Sequence, residues 1–350
     1  MNRLGPDLLI RMRQNAGLLF AVALFSALYL VYNAVHPKGF SGPVLVQNAD
    51  EAFALALLAM AQTVPVLLGG LDLSVGAVMT MVNCLASHLV IGSAFDIALG
   101  IFVCLLVGTA FGLANGLIVV YGRLQPIIVT LASGAIALGF ALLLRPKPGG
   151  KIDEDLSWAL TNSLGEFAET YGLFAGGKAP WLQPVAWIPV SLLLLVLVAV
   201  VVWLPVRSTI IGRTIFAIGS NESAAYMSGL PIAGAKLAAF TLAGFFAAVG
   251  GLFLAIQTSS GNADIPQAGA YTLNSIAAVV IGGTSLLGGA GSVIGSIFGA
   301  LVLRVISFNF RIFDVAPLLQ PLVEGVVLLA AVSLGALPML RVKNTLELFR

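Results

Sequence analysis

Residues 212–231 read GRTIFAIGSNESAAYMSGLP, a polar stretch set between two long apolar runs. Arg207 and Arg213 stand at its entrance and Lys236 at its exit. Asn221 can N-cap a short helix over 222–228 with its side-chain oxygen, Gly229 can close that helix in the left-handed conformation, and Pro231 bars its continuation. Such a helix makes about two turns and measures roughly 10–12 Å at 1.5 Å per residue. From these residues alone an ordinary capped loop reads the same way. The setting is defined by the sequence on either side, which is almost entirely lipid-soluble.

Of the 350 residues, 59% are hydrophobic and 9% charged, and the mean hydropathy is +1.04. A soluble domain carries about 25% charged residues. The composition therefore specifies an all-α polytopic membrane protein. The net charge of +2 says little about partners, because its distribution matters more than its sum. Cys84 and Cys104 fall inside apolar runs and read as small buried hydrophobes, not as a disulfide or metal pair. Arg3, Arg11 and Arg13 precede the first apolar run as they do in a signal peptide. That run is too long for a signal peptide and has no small-residue cleavage site, so it is expected to stay as a membrane anchor.

Runs of about 20 apolar residues suffice to cross roughly 30 Å of hydrocarbon. They fall at 17–35, 51–69, 74–92, 96–120, 126–144, 186–204, 232–256, 272–287, 290–308 and 317–336. That makes about ten crossings in a single transmembrane domain, 1–350, joined by polar segments at 36–50, 145–185, 205–231 and 257–271. Orientation follows from the basic residues near the crossings. With the N-terminus inside, the inner segments hold Arg3, Arg11, Arg13, Arg123, Arg207, Arg213, Lys236, Arg341, Lys343 and Arg350. The outer side holds Lys38, Arg145, Lys147, Lys151, Lys178 and Arg311, mostly in 145–185, where Asp153, Glu154, Asp155, Glu166 and Glu169 offset them. Both termini and the 205–231 segment come out cytoplasmic.

Gly108, Gly112 and Gly116 recur every four residues, as do Gly291, Gly295 and Gly299. Each set lays a flat stripe along one helix face against which a neighbouring backbone can pack. A stripe shared by the fourth and ninth crossings hints at two related halves, an arrangement common in transporters with the path between the halves. Independent use of a frequent packing device leaves the same trace.

Polar groups at membrane depth need a reason to be there. Asp72, in the 69–74 segment GGLDLS, sits near the hydrocarbon boundary. A central charge costs about 2.5–3.5 kcal/mol on insertion scales. Asp72 can cap the following helix through the free amides of Val75 and Gly76, or it can line a pathway or gate. Glu324, in the last crossing, is the other acid with a claim to an intramembrane place, and the sequence does not fix its depth. Gln62, Ser74, Asn83, Asn115 and Asn274 add hydrogen-bonding groups that suit a hydroxylated solute, and each alone also serves as interhelical glue.

The stretch 172–179, GLFAGGKA, comes close to the phosphate-binding loop GxxxxGK[ST]. It ends in Ala179 where the loop needs a hydroxyl for magnesium, and Pro180 follows where a helix should begin. No HExxH, GxSxG or CxxC motif occurs, and His36 and His88 are too isolated for a metal site. The chain is not expected to be an enzyme.

Three stretches resemble the permease subunits of bacterial ATP-binding-cassette sugar importers of the ribose, xylose, arabinose and galactofuranose group. GGLDLSVGAVMT at 69–80 is similar to that family's GG(I/L)DLSVG signature. Residues 212–231 resemble its cytoplasmic coupling segment, and IAAVVIGGTSLLGGAGSVIGSIFGALV at 276–302 resembles its C-terminal glycine-rich block. The likeness runs from about 50 to 335. The first stretch favours the sugar permeases over the related branched-chain amino-acid permeases.

The resemblance implies a ten-helix subunit in the bacterial inner membrane, paired with a second permease as a homodimer or heterodimer. It implies two cytoplasmic ATPase subunits, which bind the ATP and magnesium, and a periplasmic solute-binding protein that delivers a sugar or related polyol. It implies no cofactor in this chain and no nucleic acid. Gly219, Asn221, Glu222, Ala224, Ala225, Ser228 and Gly229 fall in the ATPase-coupling segment. Gln62, Asp72, Ser74, Asn83, Asn115, Asn274 and Glu324 remain pathway or gate candidates. The chain departs from the family where a Tyr-Glu-Leu-Asp-Ala-like run becomes Tyr271-Thr272-Leu273-Asn274-Ser275, and in ISFNFRIFDVAPLLQPLV at 306–323. Competing readings are the amino-acid version of the same machine and an ion-coupled secondary transporter. The latter calls for intramembrane acids paired with bases. A membrane-embedded enzyme would need an acid cluster, and Asp153–Glu154–Asp155 lies in a polar outer segment beside Lys151.

Overall fold

The computed structural model describes residues 16–172, 183–316, 319, 322–323, 325–326 and 329. Among them the regular structure is helical, with isolated bridges at Gly149–Gly261 and Ser163–Pro189. The helices are α1 (Ala16–Val35), α2 (Gly42–Leu67), α3 (Val75–Leu89), α4 (Ala94–Tyr121), α5 (Pro126–Leu144), α6 (Glu154–Leu160) and α7 (Leu164–Thr170). They continue as α8 (Val190–Ser208, through a π-helical turn at Ala199–Trp203), α9 (Ile210–Met227), α10 (Ile232–Thr258), α11 (Ile265–Ile281) and α12 (Val293–Ile312). Seven of these, α1, α2, α4, α5, α8, α10 and α12, are long and apolar enough to cross a membrane, and α3 and α11 are shorter apolar helices.

The fifth crossing starts and stops where hydropathy places it, with Pro126 in its first turn. Others move, for local reasons. The second begins at Gly42 and not 51, because Pro43 suits a first helical turn, so Asn48 and Asp50 become helical. The eighth is Ile265–Ile281 and not 272–287. Asp264 caps it by accepting from the Gln267 amide at 3.1 Å, and Gly283, at φ +81°, follows its end. The ninth runs Val293–Ile312, and the sixth starts after Pro189. The 205–231 segment is not a loop. α8 reaches Ser208, Thr209 caps α9 through the Gly212 amide at 3.3 Å, and helix resumes at Ile210. The run at 317–336 and the 172–179 near-match lie mostly outside the described residues.

α2 and α10 stand at the centre. In each, 78% of the apolar window is buried, against 11% for α1 and 22% for α4 and α8, so α1, α4 and α8 lie on the outside. Phe53 of α2 meets Phe253 of α10 with ring centroids 3.9 Å apart. α3 and α4 pack on α10, while α11 and α12 pack on α2. The two glycine sets do different work within this exchange. Gly108, Gly112 and Gly116 let α4 settle on Ala248, Gly244 and Phe240 of α10. Gly291, Gly295 and Gly299 instead pack against Thr284, Gly282 and Ala278 at the end of α11. Gly291, at φ +151°, precedes the start of α12 at Val293, so the second set is not a stripe along one helix face as its spacing implied, and the two sets do not make equivalent contacts.

The connectors segregate to two ends. At one end Leu67 accepts from the Gly289 amide at 3.0 Å, and the Leu73 amide donates to Thr130 Oγ1 at 2.9 Å. At the other end Gly149 and Gly261 exchange amide hydrogen bonds, Asp153 donates to Val90 O at 2.9 Å, and Ser157 Oγ donates to Ile256 O at 2.6 Å.

Candidate functional site

α9 changes direction once. Asn221 is extended (φ −166°, ψ 104°) inside an otherwise helical run, and its Oδ1 accepts from the Ala224 amide at 2.9 Å. The cap expected at Asn221 is therefore present, and it starts a short helix that ends at Met227. Gly229 follows at φ +73°, with its amide bonded to Tyr226 O at 2.9 Å. Glu222 is tied to Lys236 of α10 at 2.6 Å. Asn221, Ala224, Ser228 and Gly229 are exposed. Ala225 is 4% exposed and packs the short helix against the protein. The outward surface belongs to Tyr226 and Met227, 75% and 85% exposed.

Gly219, just before the turn, meets two other connectors. A Cβ there would collide with Leu67 O at the end of α2 and with the Gly289 amide. Gly288 in turn packs on Gly69 and Gly219, at φ +88°, which an L side chain rarely adopts. Backbone from 67–69, 219–220 and 288–289 thus meets without intervening side chains. Beside this junction lies a cavity of about 950 Å³ lined by Gly69, Arg123, Pro126, Glu222, Tyr226 and Lys236, among others.

Asp72 does not cap α3 through Val75 and Gly76. Its Oδ1 accepts from the Ser74 amide at 2.8 Å and from Ser74 Oγ at 2.6 Å, and Ser74 Oγ accepts from Asn115 Nδ2 of α4 at 3.0 Å. All three residues are at most 1% exposed. The Gly76 amide goes instead to Thr272 Oγ1 of α11 at 3.1 Å. The two short helices cross closely here, since a Cβ on Gly76 would run into Ala268 O and Thr272 Oγ1. Thr272, one of the two positions where an acid was expected, therefore braces the start of α3. A buried carboxylate is tolerable where it accepts several hydrogen bonds, and Asp72 meets that need within its own turn.

The other candidates lie apart from this chain. Asn83 is engaged with the backbone that leads into α11, accepting from the Asn262 amide at 2.8 Å and donating to Ser260 O at 3.5 Å. Gln62 is fully buried on α2, and neither amide atom makes a hydrogen bond among the described residues. Its neighbour Thr63 donates to Ser296 of α12 at 2.7 Å. Asn274 is half-buried on α11, about 200° around the helix from Thr272. Glu324 lies outside the described residues.

Three residues stand outside the sequence expectations. Tyr226 and Met227 sit within the quoted segment, where large apolar side chains on a polar stretch are their signal. Arg304 is a base inside the ninth apolar run. Its guanidinium lies over the Tyr271 ring at 5.2 Å, and its Nε makes no hydrogen bond among the described residues.

Residues 45–332 match the family described as branched-chain amino acid transport system / permease component. Among curated proteins, the chain is 34% identical to the ribose import permease protein RbsC of Bacillus subtilis, over 88% of this chain and 89% of that one. It is 30% identical to the fructose import permease protein FrcC of Rhizobium meliloti, over 85% and 79%. It is 27% identical to the D-allose transport system permease protein AlsC of Escherichia coli, over 92% and 91%. No solved structure matches the chain.

Proposed function

We propose, from the premise that this chain belongs to the family of branched-chain amino acid transport system permease components and within it resembles the sugar-import permeases, that it is the permease subunit of an ATP-binding-cassette sugar importer. The family description is the broader pattern. The relatives aligned along most of both chains bear the names of ribose, fructose and allose systems, and the sugar reading follows them.

On this reading the chain crosses the bacterial inner membrane about ten times in two related halves. Both termini and α9 face the cytoplasm, where the basic residues concentrate. ATP and magnesium are held by a separate ATPase, a periplasmic binding protein delivers the solute, and a second permease subunit completes the path. No catalysis is assigned to this chain.

The observation that carries the coupling role is the junction at Gly219. The capped helix after Asn221 offers Tyr226 and Met227 to a partner, as large exposed apolar side chains do at protein interfaces. Its base is in direct backbone contact with 67–69 and 288–289. A push on the short helix therefore reaches the segment before α3 and the segment after α11 together. α3 and α11 touch at Gly76 and Thr272, so both short helices move when their ends are displaced. Packed junctions of this kind convert small displacements into discrete helix shifts, which alternating access requires.

The test is a pull-down from detergent extract with the chain as bait. The native chain should recover an ATPase subunit, and Met227→Asp should lose it while the variant still melts as native does. Failure of the native chain to bring down any ATPase would overturn the importer reading. Recovery that is unaltered by Met227→Asp would remove the short helix from the interface.

A further inference from the structure

A cavity of about 560 Å³ opens at the start of α2 and the end of α10, the ends remote from the Gly219 junction. The turn between α6 and α7 and Trp187, ahead of α8, complete its wall. Polar as well as apolar atoms face into it. Small-molecule sites have volumes of about 300–1,000 Å³. Three carboxylates line this one, Asp50, Glu51 and Glu166, and among the described residues no basic side chain does.

The three acids differ in what balances them. Glu51 is held by Arg311 of α12, with Oε2 accepting from Nη2 at 2.6 Å and Oε1 from Nη1 at 3.1 Å. Glu166 closes the capping box that starts α7, its Oε2 accepting from the Ser163 amide at 3.2 Å and from Ser163 Oγ at 2.8 Å. Those bonds orient the carboxylate but leave its charge uncancelled. Asp50 has neither kind of support. It is 6% exposed, and its Oδ1 is buried without a hydrogen bond among the described residues. Ser191 of α8 comes near, yet the Ser191 hydroxyl is itself without a hydrogen bond. Oδ2 is not closed off in this way, and it is the oxygen that Asp50 offers to the cavity. A carboxylate so nearly buried calls for an opposite charge or for several donors. The described residues supply neither.

We infer that this cavity is a binding site for a small organic cation bearing primary ammonium groups, a linear diamine being the simplest case. One ammonium meets Asp50 Oδ2 in the depth of the cavity, and the other is drawn to the exposed Glu166 at its rim. Trp187, 50% exposed, offers a ring face to the alkyl chain and to the charge. The sign of the ligand follows from the balance of charge. Three carboxylates against the one guanidinium of Arg311 leave two negative charges. A neutral polyol fits the volume and donates hydrogen bonds, but it leaves both charges standing. A metal ion needs several oxygens converging on one point. Among the described residues no three acidic, histidine or cysteine side chains gather closely enough for that. The inference requires neither the sugar nor the ATPase of the importer reading.

Equilibrium binding of radiolabelled 1,4-diaminobutane to the purified permease tests the site. Nanodiscs of phosphatidylcholine, whose headgroup has no net charge, keep the amine off the bilayer. The native chain should bind one diamine per permease chain, and a large excess of 1,4-butanediol, the uncharged counterpart, should not displace it. Asp50→Asn keeps the shape, removes the charge, and should weaken binding at least about tenfold. Glu166→Gln can still close the capping box and should weaken it several-fold. Asp96→Asn, which alters an exposed acid at the start of α4 outside the cavity, should bind as native does. The comparison of diamine with diol uses the native chain alone and carries the test if Asp50→Asn misfolds. The inference is overturned if the native chain binds no diamine or if the diol displaces it. It is equally overturned if Asp50→Asn binds as native, or if Asp96→Asn weakens binding as much as Asp50→Asn.

Discussion

Gly219 has room for a hydrogen atom and nothing larger, because Leu67 O and the Gly289 amide occupy the place of a side chain. Gly219→Ala should part the three connectors while leaving Tyr226 and Met227 on the surface. In reconstituted vesicles, the variant should still bring down the ATPase and yet lose most solute import. Import at the native rate would remove the junction from the mechanism. Asp72 poses a different question, since both its partners on Ser74 are buried. Asp72→Ala leaves two donors unpaired, at about 1–3 kcal/mol each for a buried group. Unfolding in a denaturing-detergent titration should show that loss. A cycle with Asn115→Ala should be non-additive, because Asn115 reaches Asp72 through Ser74. Strict additivity would mean that the chain of hydrogen bonds has no energetic existence.

Among elements, the α4–α10 contact is decided by glycine. A Cβ on Gly112 would fall within Phe240 O and 2.9 Å from Gly244 Cα. Gly112→Val should therefore drive the helices apart and destabilise the protein by at least about 1–3 kcal/mol, the usual range for overpacking. Gly139 on α5 has nothing within 4 Å of its would-be Cβ. Gly139→Ala should be neutral or gain up to about 1 kcal/mol from helix propensity. Thermal melts of the two variants against native give the comparison, and equal effects would contradict the packing assignment. The spacing of four residues was legible for both glycine sets. Their partners were not, because spacing describes one helix face and is silent on what lies opposite. The shift of the eighth crossing has the same origin. Hydropathy weighed Thr272 and Asn274 as membrane residues, while the Asp264 cap and Pro266 placed the helix start earlier in the chain.

Over the whole molecule, the two sets of connectors make a topological prediction. Cys84 and Cys104 are 0% exposed, so the native thiols give a silent background for labelling. A membrane-impermeant maleimide should label Trp187→Cys in intact cells from which the outer membrane has been stripped. Tyr226→Cys should react only once the inner membrane is opened. Trp187 and Tyr226 are 50% and 75% exposed, so neither position is shielded by its own fold. The reverse pattern would invert the orientation and move the short helix of α9 away from any cytoplasmic ATPase.

By itself the sequence determined the membrane class, the order of the apolar helices and the capped turn at Asn221. Each of these depends on composition or on a few adjacent residues. Hydrocarbon demands about 20 apolar residues per crossing, and a cap needs an acceptor beside free amides. Only the tertiary structure decided that Leu67, Gly219 and Gly289 meet, that Asn115 reaches Ser74 across 41 residues of chain, and that Asp50, Glu166 and Trp187 share one cavity. Hydropathy says that a helix crosses the membrane but not which way it is turned. The rotation of each helix about its axis comes from packing against its neighbours, and that rotation selects which polar groups meet a partner, as Asn115 does, and which, like Gln62, are buried without one among the described residues.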